Sequence, residues 1–307
     1  MLKDNIHYFN ISTKNQEPEF DERYAVLQKH PDLEKYVENT KEIKDILTTI
    51  KTLSKLNKNA DPIYEKLYDL TNNEFATKSE WGCFINACDI TLKSLKDNSL
   101  LKEIVNLYFK YRDLKEGVPN EWVQAIIDKG SSRSKGSIGE NKLTEIAKNI
   151  DFKLVDNWND FLKNEKVITK FSKSNFDLMN IKTHLGVDLN FDSQNKKLDI
   201  IIKNNKNMMF LEAKHLKEGG GAQDKQIKEL INIISHSTNK PNIFYGAFLD
   251  GIYSNVILNI PNEIEKAQET KIITQRREIL KALEMNKNSF WFNTAGFKEF
   301  VKDFGEL

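Results

Sequence analysis

The stretch Lys197–Lys214 constrains the fold more than any other part of the chain, because it sets charged side chains into what reads as a buried sheet. Leu198–Lys203 is a β-branched run, Asn204–Asn207 a polar turn and Met208–Ala213 a second apolar run, which together predict a β-hairpin. Strand side chains alternate, so Met208, Phe210, Glu212 and Lys214 share one side while Met209, Leu211 and Ala213 share the other. A carboxylate and an ammonium therefore stand side by side at the end of an apolar strand, and Asp199 opens the strand next to it. Buried charges are costly unless they are paired or bind a metal.

With 307 residues the chain has room for one large or two modest domains with real cores. No apolar run approaches the roughly 20 residues that span a bilayer, and the N-terminal MLKDNIHYFN lacks a signal pattern; we expect a cytoplasmic protein with no membrane partner. A formal net charge of +1 excludes a global basic field, so any nucleic-acid contact must rest on local patches. Cys83 and Cys88 are the only cysteines, too few for a tetrahedral zinc site, and are expected to be buried thiols. The glycines Gly219–Gly221 lack the Gly-Lys-Ser/Thr ending of a phosphate-binding loop, so no nucleotide cofactor is expected.

Apolar residues recur at helical spacing from Asp21 to about Lys129, as in Leu101, Ile104, Val105 and Tyr108. This predicts a helical domain over residues 1–128, for DNA binding or scaffolding, followed by an α/β domain over 129–307. The join, Lys129–Gly139, is rich in Gly and Ser and carries Arg133 and Lys135, side chains suited to phosphate. A helix from about Ile138 to Asn149 follows, with Glu140 on the same face as Leu143. Phe152–Val155, Val167–Phe171 and Gly186–Phe191 read as strands, separated by a poorly patterned insertion at Ser172–His184. Beyond the hairpin, Glu218–Gln223 is a flexible connection into a helix reaching His236, which carries Gln223 and Gln226 on or beside its apolar stripe. Ile243–Leu249 and Tyr253–Ile260 bracket an Asp250-Gly251 turn and predict a second hairpin. A long helix, Asn262–Met285, suits either a subunit interface or internal packing, and an aromatic segment ends the chain.

Two carboxylates on adjacent strands form a hard-oxygen site of the kind Mg²⁺ takes, with one or two carboxylates and several waters. A neighbouring lysine can orient a water and stabilise charge developing on a phosphate. Acid, acid and lysine in this order suit attack of water on a phosphodiester. Asp199 followed by Glu212-Ala213-Lys214 across a hairpin, with Glu140 on an upstream helix, resembles the signature of the PD-(D/E)XK nuclease superfamily. Within it, Gly139-Glu140, the Glu-Ala-Lys strand and the glutamines of the next helix look most like a type II restriction endonuclease, with a DNA repair, recombination or RecB-like nuclease of the same superfamily, or a catalytically inactive DNA-binding protein, as the alternative. Leu198 stands where the superfamily's name has Pro.

The resemblance implies a restriction-endonuclease-like α/β core, a central mixed sheet flanked by helices, with an N-terminal helical region. It implies that Asp199, Glu212, the Ala213 carbonyl and Glu140 serve a catalytic Mg²⁺ and that Lys214 positions the attacking water. Asp188, in Gly-Val-Asp-Leu-Asn-Phe, is the alternative first acid. Gln223 and Gln226, with Arg133 and Lys135, would approach double-stranded DNA, and a palindromic site would call for a homodimer.

Overall fold

The computed structural model describes residues 2–25, 28–115, 117–129, 135–172, 174–189, 198–236, 240–259 and 270–307. Contacts divide the chain into two units, residues 1–25 with 134–307, and residues 26–133. The first helix, α1 (Asn5–Lys14), is started by Asp4, whose carboxylate accepts from His7 N–H at 2.7 Å.

The helical unit contains α2 (Leu33–Lys55), α3 (Asp61–Thr71), α4 (Glu80–Ala87), α5 (Asn98–Tyr111) and α6 (Asn120–Lys129). Ile43, Leu47 and Ile50 of α2 pack with Leu67, Trp81, Ile85, Leu101 and Val105 in a core of their own. The chain turns at Leu56-Asn57, with Asn57 at φ +51°, between α2 and α3, and at Asn72-Asn73 after α3. Cys83 is exposed and Cys88 half-buried, which corrects the expectation of buried thiols: α4 turns Trp81, Phe84 and Ile85 inward and leaves Cys83 on its outer face.

The α/β unit continues with α7 (Lys135–Lys148), α8 (Trp158–Lys163), α9 (Leu178–Leu185), α10 (Gly221–Ser235), α11 (Ile252–Leu258), α12 (Lys271–Met285) and α13 (Thr294–Gly305). Its strands are β1 (Lys153–Leu154), β2 (Lys166–Lys170), β3 (Ile200–Asn204), β4 (Asn207–His215), β5 (Ile243–Asp250) and β6 (Ser289–Phe292). They form one mixed six-stranded sheet in chain order. The β2–β3 and β3–β4 pairs are antiparallel; β1–β2, β4–β5 and β5–β6 are parallel. Every residue of β5 is buried, as expected for a parallel strand covered on both faces.

On one face, Tyr8 of α1, Leu143 and Ala147 of α7 and Phe297, Phe300 and Phe304 of α13 pack on Ile200, Ile202, Met209, Leu211 and Phe290. On the other, Ile227, Leu230 and Ile234 of α10 join Ile257, Ile279 and Leu283 over Ala247, Leu249 and Trp291. Phe161, Phe176 and Ile181 cover Val167, Ile201 and Phe210 nearer the sheet edge. The architecture is therefore α/β, a mixed sheet between helical layers, and no described helix is long and apolar enough to cross a membrane.

Four expectations change. Residues 1–25 group with the α/β unit and not with the helical one, and α1 is built into that unit: Asn5 Nδ2 donates to Leu283 O, Asn286 O and Ser289 O at 2.7–3.0 Å. The second hairpin does not exist. Both edges of β5 are taken by parallel partners, Gly251 turns the chain away at φ +82°, and Ile252–Leu258 is helix with Tyr253, Ile257 and Leu258 buried. The insertion at Ser172–His184 carries α9, closed by Gly186 at φ +61°, while residues 186–189 form no strand and 190–191 lie outside the described residues. Of the helix expected over Asn262–Met285, α12 begins at Lys271 and packs inward through Ile273, Ile279 and Leu283; residues 260–269 lie outside the described residues.

Candidate active site

The β3–β4 hairpin forms as its pattern predicts, turning at Asn205-Lys206 with Asn205 at φ +54°, a conformation asparagine tolerates. Its register sets Ile200 opposite Leu211, so Asp199, the residue before β3, arrives beside the second half of β4. The main chain fixes Asp199 on both sides: its N–H donates to Leu211 O and its carbonyl accepts from Phe171 N–H, each at 3.0 Å. Its carboxylate then crosses to β4, where Oδ2 accepts from the Ala213 N–H at 2.8 Å. Asp199 is thereby held at the peptide between Glu212 and Lys214.

Glu212 is 2% exposed and lies in register with Ala247 of β5, the strand on its other side. Lys214 Nζ ion-pairs with Glu212 Oε1 and lies 3.9 Å from Glu229 of α10. Burial is the main force pushing the Asp199 carboxyl up to about 7, and the negative charge of Glu212 adds to it; the Ala213 N–H and Lys214 oppose the shift, and Glu140 raises it slightly. Burial works against the charge on Lys214, but Glu212, Asp199 and Glu229 outweigh it and hold its ammonium above the usual lysine range. Two carboxylates that repel each other across a buried gap, with one cation beside them, form a site that gains from a further positive charge.

Glu140 is brought to the same end of the sheet by the first turns of α7, and its charge is felt at Asp199. It is only partly buried, contrary to a core-facing role, and its Oε2 lies 3.1 Å from Lys170 at the end of β2. Lys170 also donates to Asn141 Oδ1 at 2.8 Å. Asp188, the alternative first acid, lies elsewhere: it is half-exposed and accepts from Lys182 of α9 at 2.6 Å. Gln223, Gln226 and Glu229 follow one another at three-residue spacing along α10, so the glutamines share the stripe that reaches Lys214. Gln223 folds back over Gly220, where a Cβ would come within 2.8 Å of its Oε1. Arg133 lies outside the described residues, and Lys135 is the first residue of α7, its side chain outside the described atoms.

Asp199, Glu212 and the Ala213 carbonyl offer hard oxygen donors only, a set that fits Mg²⁺, which uses one or two carboxylates and keeps several waters. Among the described residues no three His, Cys, Asp or Glu side chains gather closely enough to hold a metal alone, and Glu140 stands back with Lys170. Comparison with protein-family models, with curated proteins and with solved structures finds no match to this chain. The functional reading therefore rests on the residues themselves. Lys170 and Glu229 belong to the site and were not predicted; each is one charge in a lysine- and glutamate-rich sequence, and only the sheet register brings it here.

Proposed function

We propose that the chain is a Mg²⁺-dependent endonuclease of the type II restriction kind, with a restriction-endonuclease-like core, hydrolysing phosphodiester bonds in double-stranded DNA in the cytoplasm. The observation that carries this reading is the Asp199 carboxylate bound to the Ala213 N–H, between the buried Glu212 and its lysine partner Lys214. Surface ion pairs are common and say little. A partly buried acid pushed up to about 7 beside the buried Glu212 is a cost that function explains better than stability does.

Asp199, Glu212 and the Ala213 carbonyl would hold the metal, and Glu140 would add negative charge from α7. When bound, Mg²⁺ supplies positive charge to the phosphate and acidifies water. Lys214 is held by Glu212 within reach of the scissile phosphate, where its ammonium orients the attacking water and stabilises the charge that develops on phosphate oxygens. Gln223 and Gln226, on the α10 stripe that reaches Lys214, face the duplex near the cut, and Arg133 and Lys135 contact its backbone. A palindromic site would be matched by a two-fold protein, a homodimer with one cut per subunit.

Incubating plasmid DNA with the wild-type chain and with Lys214→Ala, with and without Mg²⁺, tests the reading. Mg²⁺-dependent cleavage by wild type alone supports it. Equal cleavage by both, or tight DNA binding with cleavage by neither, removes it, the latter in favour of a non-catalytic DNA-binding protein.

A further inference from the structure

On the far side of the β4 end from Lys214 lies a second group of charges, more deeply buried than the first. Lys142 of α7 is 1% exposed, and its Nζ lies 2.6 Å from Asp250 Oδ2, 3.2 Å from Asp21 Oδ2 and 3.6 Å from Glu17 Oε2. Asp250, the fully buried last residue of β5, also accepts from the Tyr24 hydroxyl at 2.9 Å and pairs through Oδ1 with His215 Nδ1. The Tyr24 ring stacks on His215 with centroids 3.7 Å apart. His215 and Asp250 are directly paired in the β4–β5 register.

Packing alone does not call for these charges. Replacing a buried ion pair by apolar side chains is often neutral or stabilising, and α7 already has Leu143, Ile146 and Ala147 against the sheet. Directed hydrogen bonds add what apolar contact lacks, a single rotation and height for the helix. The partners are placed where such control matters: Lys142 is two residues after Glu140 on α7, His215 directly follows Lys214 on β4, and Asp250 ends the next strand.

We propose that Lys142, Asp250 and His215 are positioning residues that lock the height of α7 against the ends of β4 and β5, and so set Glu140 against Asp199, Glu212 and Lys214. The inference rests on the nuclease reading of that group. None of the three touches the reacting atoms. Lys142 acts through Glu140, His215 acts through Lys214, and Asp250 ties the two together.

The test compares full-length wild type, K142M and K142R for Mg²⁺-dependent plasmid cleavage, Mn²⁺ binding by calorimetry, and thermal melting. A misplacement of about 1 Å costs on the order of a hundredfold in rate. The expected result for folded K142M is a kcat lowered about tenfold to a hundredfold, with KM for DNA within about twofold of wild type. K142R, which keeps a cation for the same carboxylates, regains at least half of the loss on a logarithmic scale. A folded K142M with wild-type kcat overturns the inference, as does a loss that K142R does not relieve. If K142M shows no melting transition, H215Q, which disturbs the Asp250 Oδ1 contact and the Tyr24 stack but leaves the Lys142 ion pairs in place, takes its place with the same expectation. Wild type that neither cuts DNA nor binds Mn²⁺ refutes the nuclease reading and the inference with it; wild type and K142M cutting alike refutes the inference alone.

Discussion

Asp199 gives the account its sharpest physical consequence. Its carboxyl is pushed up to about 7 in the folded chain, against an ordinary value of 3.8. Between those two values the folded state holds a proton that the unfolded state has released, so stability falls as pH rises through the window. The slope is about 1.4 kcal/mol per pH unit, or roughly 4 kcal/mol in all, fully present below pH about 4 and lost above pH about 7. Asp199→Asn removes the titration but keeps an amide oxygen able to accept from the Ala213 N–H. Urea unfolding of both proteins in chelator, at intervals from pH 4.5 to 8.5, reads the effect as a difference, because groups away from Asp199 titrate alike in both. The variant gains on wild type by several kcal/mol across this range. Mg²⁺ at pH 8 narrows the gap by stabilising wild type, where two carboxylates can bind it. Stability curves that run parallel through the whole range would refute the burial and Glu212 repulsion on which the site is argued.

Three further outcomes follow from named contacts. Gly251→Ala costs about 1–3 kcal/mol in urea unfolding, because Gly251 has φ +82° and a Cβ would sit 2.4 Å from Leu216 O; a neutral effect would mean that the β5–α11 corner is built differently. Asn5→Ala costs about 1–3 kcal/mol by the same measurement, since its amide bridges three carbonyls at the end of α12 and the start of β6; no loss would place the N-terminal helix outside the cooperative unit. Charge reversal at Arg133 and Lys135 together lowers DNA affinity and reduces the salt slope of binding by about 2, read from fluorescence anisotropy over a salt series; an unchanged slope would remove both from the DNA contact.

The candidate site was legible where chemistry and local pattern coincide. In the β3–β4 hairpin, period-2 alternation and a polar turn mark the strands, and the same alternation isolates Glu212 and Lys214 as charges on an apolar strand. The helical pattern of α7 and α10 likewise gave their place and their inward faces. The β5–α11 segment misled because Asp250-Gly251 is a strong hairpin signal, yet whether a strand turns back depends on which of its edges is free. That is decided by β4 and β6, not by the turn. The Lys142–Asp250 pair is separated by 108 residues, and each residue alone looks like an ordinary surface charge. Nothing in local periodicity marks α1 as part of the sheet's core either, since its anchors, Asn5, Tyr8 and Ser12, find their hydrogen-bond partners almost 300 positions away. Local order is written in spacing; the partners of buried charges are set by topology.

The central claim is that Asp199, Glu212 and Lys214 act together on phosphodiester bonds, and the most direct measurement is run-off sequencing of plasmid fragments produced with Mg²⁺. Wild type is expected to give fixed fragment ends at one recurring sequence with Mg²⁺ and none without it, and Lys214→Ala to give none. Intact plasmid after incubation with wild type, or the same ends from Lys214→Ala, would contradict it.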